Sequence, residues 1–329
     1  MQGQQMRSRE AGSTGQYRIV GLLGAGGMGT VVEAIDMSRG RPVALKFART
    51  RKGDTTSAAQ QLSHEAQAMT RAKSPHVCEV FGVTTCEGQP CLAMESLIGR
   101  VLQCRLVRGP IAIRAVVDLG LQVASALEQV HGAGLVHQDI KPANIFITSS
   151  GLIKLLDFGA AARFDAPPDA RVKRPSGADV LGTTNYIAPE RILRQPPDPR
   201  SDLFSLGAVM YEMVTGRQPF AGISPAEVLF NVLDVDPPSL RAFAPDCPAA
   251  LDRIVRRLLA KRPERRFQSA AQLRRALLRL RDGWRGSGAA VARVLNRRAL
   301  CREKRRPVPA GTRLDHDAPL GLRHVGGLV

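Results

Sequence analysis

His137-Gln138-Asp139-Ile140-Lys141-Pro142-Ala143-Asn144 is followed, thirteen residues beyond the asparagine, by Asp157-Phe158-Gly159. Upstream, the segment Ile111 to His131 carries apolar residues at 113, 116, 117, 121, 124, 127 and 130. That spacing of three and four predicts a helix packed on a core, and Gly132 and Gly134 end it. Ile153-Lys-Leu-Leu156 reads as a strand leading into Asp157. Any one Asp or Asn here could be a loop cap. Two aspartates, an asparagine and a lysine in this order and spacing are not explained that way.

Working outward towards the N-terminus, Gly21-Leu-Leu-Gly24-Ala-Gly26-Gly-Met-Gly29-Thr-Val31 contains Gly-x-Gly-x-x-Gly. Dinucleotide-binding folds use the same spacing, but they open a helix at the last glycine and place an acidic residue about 20 positions on. Here Thr30-Val-Val-Glu-Ala-Ile35 is β-branched and strand-like, Ser38-Arg-Gly40 supplies a turn, and Pro42-Val-Ala-Leu-Lys46-Phe reads as another strand. A hairpin flap over phosphates fits better, its glycines admitting phosphate oxygens with no Cβ in the way. A Walker loop is excluded because Thr30 and Val31, not Lys and Ser/Thr, follow Gly29.

On these stretches the chain resembles the eukaryotic-type protein kinases, in their bacterial serine/threonine branch, from about Tyr17 to Asp282. The resemblance implies an α+β, bilobal kinase fold: a small, mainly β N-lobe with one helix and a larger, mainly α C-lobe. Expected boundaries are a disordered N-terminus over 1–14, an N-lobe over 15–97, a C-lobe over 98–283 and a flexible basic tail over 284–329. It further implies that Leu23, Gly24, Ala25, Gly26, Gly27, Met28 and Gly29 cover the nucleotide. Val31 and Ala44 would roof the adenine, Phe146 would floor it, Met94 would guard the back pocket, and Glu95 to Leu97 would form the hinge. Lys46, paired with Glu65 on a helix from about Thr56 to Arg71, would meet the α- and β-phosphates.

The chemistry of phosphoryl transfer suits these residue types. It asks for positioning and charge neutralisation, hence hard oxygen donors for a cation and cations for phosphate. By the resemblance, Asn144 and Asp157 would hold Mg²⁺, for which Mn²⁺ could substitute. Asp139 would accept the proton of the acceptor hydroxyl, for which an ordinary carboxylate pKa suffices, and Lys141 would stabilise the transferring phosphate. Lys141-Pro142 goes with serine/threonine rather than tyrosine acceptors. So does Thr183, in Gly182-Thr183-Thr184-Asn185-Tyr186-Ile187-Ala188-Pro189-Glu190, the expected substrate-docking segment. The expected function is ATP-dependent phosphorylation of protein Ser/Thr hydroxyls, with autophosphorylation. The competing classes are a pseudokinase scaffold, a small-molecule phosphotransferase, which would lack Thr183 and Ala188-Pro-Glu190, and a nucleic-acid-binding protein resting only on basicity.

Further along, Asp202 to Gly216 is apolar nearly all round, the pattern of a buried helix whose leading Asp202 would tie to the catalytic-loop backbone. Ser224-Pro225-Ala226-Glu227 and Ser269-Ala-Ala-Gln272 are helix starts. Arg266 would pair with Glu190. The pattern breaks at Gln138, where most of the family has an arginine that receives a phosphorylated activation loop. An uncharged side chain there implies activity that does not depend on that phosphorylation.

The whole chain of 329 residues has 47 Lys and Arg against 29 Asp and Glu, a net charge of +18, and 44% hydrophobic residues. Disorder throughout and low-complexity classes are excluded. Residues 251–282 carry 11 basic and 3 acidic side chains (+8) and residues 283–329 carry 10 and 3 (+7), so the excess lies at the C-terminal end. The first cluster reads as the solvated face of helices whose apolar stripe holds Leu273, Ala276, Leu277 and Leu280. The second reads as an unstructured end that could dock an acidic partner. No run reaches the roughly 18 to 20 apolar residues of a membrane helix, and Met1 to Glu10 is polar. The six cysteines show no metal-site spacing, so reduced thiols and a cytoplasmic location are expected.

Overall fold

A computed structural model of the chain describes residues 16–26, 29–48, 55–164 and 184–284. Strands β1 (Tyr17–Gly26), β2 (Gly29–Asp36), β3 (Arg41–Ala48), β4 (Val80–Cys86) and β5 (Gln89–Glu95) form one antiparallel sheet in the order β1-β2-β3-β5-β4. The expected flap is there: β1 and β2 pair up to Gly26↔Gly29. Gly29 needs to be glycine for a reason other than phosphate approach. Its φ is +133°, and a Cβ would lie 1.9 Å from the Phe47 carbonyl oxygen on β3. At Gly24, by contrast, a Cβ would meet nothing within 4 Å. Packing of β2 on β3 thus holds position 29 to glycine, whereas Gly24 has open space around it.

Helix α1 (Thr55–Arg71) begins within a residue of the expected position and buries Ala58, Leu62, Glu65, Ala68 and Met69 along one face. Four of those five are apolar. The fifth, Glu65, is carried into the interior by the same periodicity, because 58, 62, 65 and 69 share a stripe at helical spacing. The second part of the molecule is mainly helical. After the short elements β6 (Gly99–Val101) and α2 (Leu102–Leu106), α3 (Ile113–Gly132) buries six of the seven expected apolar positions, with Ile113 packed at the edge of the core. The helix Pro199–Thr215 is buried almost all round, as expected. Asp198 caps its start by accepting the Arg200 N–H, and Gly216 at φ +68° ends it. Two further helices, Ala249–Leu258 and Ala270–Asp282, close this half, the second starting at Ser269, whose side chain accepts the Gln272 N–H.

Between these parts run β7 (Leu135–Val136), β8 (Ile145–Thr148), β9 (Ile153–Leu155) and β10 (Ala162–Arg163). Cys78 N–H donates to Leu155 O and Leu155 N–H to His76 O, so the segment before β4 is hydrogen-bonded to β9. One core spans α1, α3, β9 and the Pro199–Thr215 helix; a smaller one of Val32, Val43, Leu45, Phe47 and Cys91 lies on the other face of the sheet. No helix among the described residues is long and apolar enough to cross a membrane.

Candidate active site

The site assembles where β3 and α1 meet the loop after β7 and the loop after β9. Lys46 on β3 donates to both Glu65 carboxylate oxygens, at 2.7 and 2.8 Å, and lies 3.1 Å from Asp157 Oδ1. An ammonium has three protons, and these three contacts use them. Burial by itself would lower the Lys46 pKa, but the Asp157 and Glu65 carboxylates hold it above the ordinary lysine value. Burial likewise pushes Asp157 up, yet the Lys46 charge and the Gly159 N–H keep it below the usual carboxylate value. Asp157 is therefore an ionised carboxylate with Oδ1 engaged.

The second cluster is carried by the loop after β7. Asp139 Oδ2 accepts from Lys141 Nζ at 2.9 Å and from Asn144 Nδ2 at 2.8 Å. The Asn144 amide also donates to Asp139 O. With its nitrogen so used, the amide oxygen is the group Asn144 offers to a cation. The sequence argument asked only for an ordinary carboxylate at 139. Burial instead raises the Asp139 pKa, with Lys141 opposing the rise. No group of three metal-ligating side chains exists among the described residues. Asn144 and Asp157 alone fit a small hard cation, which keeps most of its waters and takes one or two protein oxygens beside phosphate.

Asp202, fully buried in the first turn of Pro199–Thr215, holds the loop in shape. Its two oxygens accept the backbone N–H of His137 and of Gln138, each at 2.8 Å, and His131 Nε2 lies 2.9 Å from Oδ2. Gln138 sits at φ +67° and Asp157 at φ +60°, so two of the four non-glycine residues with positive φ among the described residues flank the site. Such conformations cost about 1–3 kcal/mol each and persist only where surroundings impose them. Asp202 imposes the first. His137 helps hold the strand before Asp157: its Nε2 is 3.1 Å from Leu156 O, and its ring lies against Phe158 at 4.5 Å.

The remaining expected positions line the two sides of the junction. Val31 faces Lys46 in the β2–β3 register, Ala44 is buried opposite Met94, and Phe146 lies half-buried on β8. Leu23 is exposed on β1 with Gly24 and Ala25 beside it. The Glu95 carboxylate is engaged by Lys154 at 2.5 Å and by the Glu79 N–H at 2.7 Å, so what β5 presents at its end is backbone and Leu97. Gly27, Met28, Thr183, residues 1–14 and residues 285–329 lie outside the described residues.

The protein kinase domain family model matches residues 17–277. The chain belongs to the protein kinase family. It is 35% identical over 278 residues to serine/threonine-protein kinase PknA of Mycobacterium tuberculosis, covering 83% of this chain and 63% of that protein. It is 35% identical over 274 residues to serine/threonine-protein kinase PknB of Mycolicibacterium smegmatis, covering 82% and 43%. A probable serine/threonine-protein kinase of Streptomyces coelicolor is 34% identical over 265 residues, covering 79% and 39%. The chain thus spans less than two thirds of the length of these relatives. Kinases of this family use ATP with a divalent metal ion.

The kinase architecture accounts for Glu190 as well. Arg266, wholly buried, pairs with it at 2.6 and 2.8 Å as expected. Three contacts had no sequence signal. Arg191 Nη1 donates to Gln138 Oε1, bringing a guanidinium from the neighbouring segment beside the position where the family arginine is absent. Burial lowers the Arg191 pKa, against the pull of Asp202 and Asp139. Tyr186 donates to Glu212 at 2.5 Å, and His131 joins Asp202.

Proposed function

We propose that this chain is an Mg²⁺·ATP-dependent protein serine/threonine kinase, acting on protein substrates and able to phosphorylate itself. The observation that carries the reading is the convergence of Lys46, Glu65 and Asp157 with Asp139, Lys141 and Asn144 across one junction. Asp157 and Asn144 would hold a divalent cation, Mg²⁺ or Mn²⁺, which would supply charge neutralisation to the phosphates. Lys46, aimed by Glu65, binds the α- and β-phosphates. Leu23 to Gly29 cover the nucleotide, Val31, Ala44 and Phe146 enclose the adenine, and Met94, Glu95 and Leu97 bound its far side. Asp139 accepts a hydrogen bond from the substrate hydroxyl, orients it, and takes its proton as the bond to phosphorus forms. Lys141 neutralises charge on the moving phosphoryl group, and Thr183 fixes the substrate segment.

Asp202, His137 and Arg191 touch none of the reacting atoms; they hold the loop. With Gln138 tied to Arg191, transfer does not wait for phosphorylation of the chain. The N-lobe extends over 15–97 and the C-lobe over 98–283. The need for ATP, and buried free thiols at Cys78, Cys86, Cys91 and Cys247, fit action in the cytoplasm. The test is transfer from labelled ATP with Mg²⁺ to a generic basic protein, beside Lys46→Met and Asp139→Asn. Transfer by the unmodified chain alone is expected. No transfer would favour the pseudokinase reading, and either that or equal transfer by all three would end this one.

A further inference from the structure

The helices Ala249–Leu258 and Ala270–Asp282 leave between them an open groove of about 550 Å³. Its floor is apolar, made by Ile254, Phe267, Leu280 and Trp284. Arg253, Arg257 and Arg279 stand around that floor, and no acidic side chain lines it. The sequence periodicity assigns these arginines to a solvated face. They are exposed, as that reading has them, and they stand around an apolar groove in which Ile254 and Phe267 are buried and Leu280 and Trp284 half-buried. Arg257 is fixed there, its guanidinium 4.3 Å above the Phe267 ring and its Nη2 donating to Arg266 O at 3.3 Å. Arg253 and Arg279 are exposed and have no ion-pair partner among the described residues.

We propose that this groove docks an acidic, amphipathic segment of a partner protein, with apolar side chains on the floor and Asp or Glu beside Arg253 and Arg279. The apolar floor decides the class of partner. A nucleic acid offers phosphates to the guanidiniums but nothing apolar to cover the half-buried Leu280 and Trp284. An amphipathic helix with anchors three and four residues apart does both. Charge decides the sign. A basic segment would bring like charge against three arginines without counter-ions, which selects against residues 285–306 of this chain, with eight basic and one acidic side chain, and against a second copy at net +18. No groove residue belongs to the phosphate-transfer site, so the docking does not rest on the kinase activity.

Trp284 is the only tryptophan in the chain, so its fluorescence reads the groove directly. The full chain is titrated at low salt with a synthetic peptide about four helical turns long, carrying Leu and Phe on one face and Glu on its flanks. A saturable blue shift of Trp284 emission is expected, weakening with added salt. Arg253→Glu and Arg279→Glu should each weaken it by on the order of tenfold, with thermal melts and phosphotransfer rates unchanged. The proposal fails if Trp284 does not respond, or if both reversals bind as well as the unmodified chain. It fails equally if a peptide with Ser in place of Leu and Phe binds the same. A larger response to duplex DNA, phosphatidylserine vesicles or a basic peptide would also overturn it. Trp284 already blue-shifted and shielded from acrylamide in the free protein, and unmoved by the peptide, would assign the groove to the chain itself and sink the proposal.

Discussion

The Glu190–Arg266 pair and the Lys46–Glu65–Asp157 cluster are both buried ionic clusters, built from the same chemistry, and they differ in what they leave open. Arg266 spends all five of its N–H donors: on the two Glu190 oxygens and on the carbonyls of Ala260, Arg200 and Lys261. Ser201 adds a donor to Glu190 Oε1. The Phe204 ring lies 4.8 Å from the guanidinium carbon. Nothing further can bind there. At Lys46 the ammonium is equally spent, but Asp157 keeps one carboxylate oxygen and Asn144 its amide oxygen. A closed network holds the fold, whereas an open one is electrostatically prepared for a ligand that brings its own charge.

The sharpest way to break this contrast is to remove one group from each and ask which quantity moves. Asp139→Asn, in the open cluster, should lower the transfer rate by about 10²- to 10⁴-fold, the usual worth of a positioned acid–base group. Its thermal midpoint should barely change, since burial already disfavours the ionised carboxylate. Arg266→Ala should do the reverse, costing about 3–5 kcal/mol of stability by stranding the Glu190 charge, with the rate per folded molecule kept. Denaturant titration beside initial rates reads both. A large rate loss in folded Arg266→Ala protein would show that the closed pair is not merely structural.

Asp202 lies between the two kinds. Its three contacts are as closed as those of Arg266, yet two of them fix the loop that carries Asp139. An Asp202→Asn side chain can accept with only one oxygen, leaving one loop N–H unpaired at a cost of about 1–3 kcal/mol. Because Gln138 then loses the hold on its positive φ, kcat should fall together with stability while KM for ATP stays. A fall in stability alone would make Asp202 a member of the closed class.

Most of this was legible in the sequence because kinase chemistry is written in short, ordered stretches. Glu65 and Asp202 could be read through the family resemblance, which expects a glutamate on the helix after the strand lysine and an aspartate at the head of the buried one. Burial of Arg266 needed only its expected partner. What the sequence hid depends on long-range juxtaposition. Gln138 and Arg191 are far apart in the chain and meet only because the loop after β7 lies against the Pro189–Ile192 turn. The sequence also hid a packing need at Gly29, since the Phe47 carbonyl that would crowd a Cβ there lies on another strand. Arg253, Arg257 and Arg279 are exposed, as the solvated-face reading has them, but periodicity along two separate helices cannot reveal the groove between them.

The smallest expected effect tests how open the catalytic cluster is. Burial raises the Asp139 pKa, and the Lys141 ammonium 2.9 Å away pulls it back down. In the proposed mechanism transfer needs the ionised carboxylate, so activity should fall as pH drops through that pKa. Lys141→Gln removes the lowering influence, and the acid limb of kcat/KM should therefore move to higher pH, beyond the loss of rate from the missing phosphate contact. Stability runs the other way. A carboxyl whose pKa is higher folded than unfolded stabilises the fold when protonated, fully below the unfolded value, and that contribution is lost as pH rises through the folded value. Between the two values acid should thus firm up the site while silencing it, and Lys141→Gln should widen the window. An acid limb that stays in place would mean that the titrating group is not Asp139, or that bound nucleotide replaces the charge Lys141 supplies.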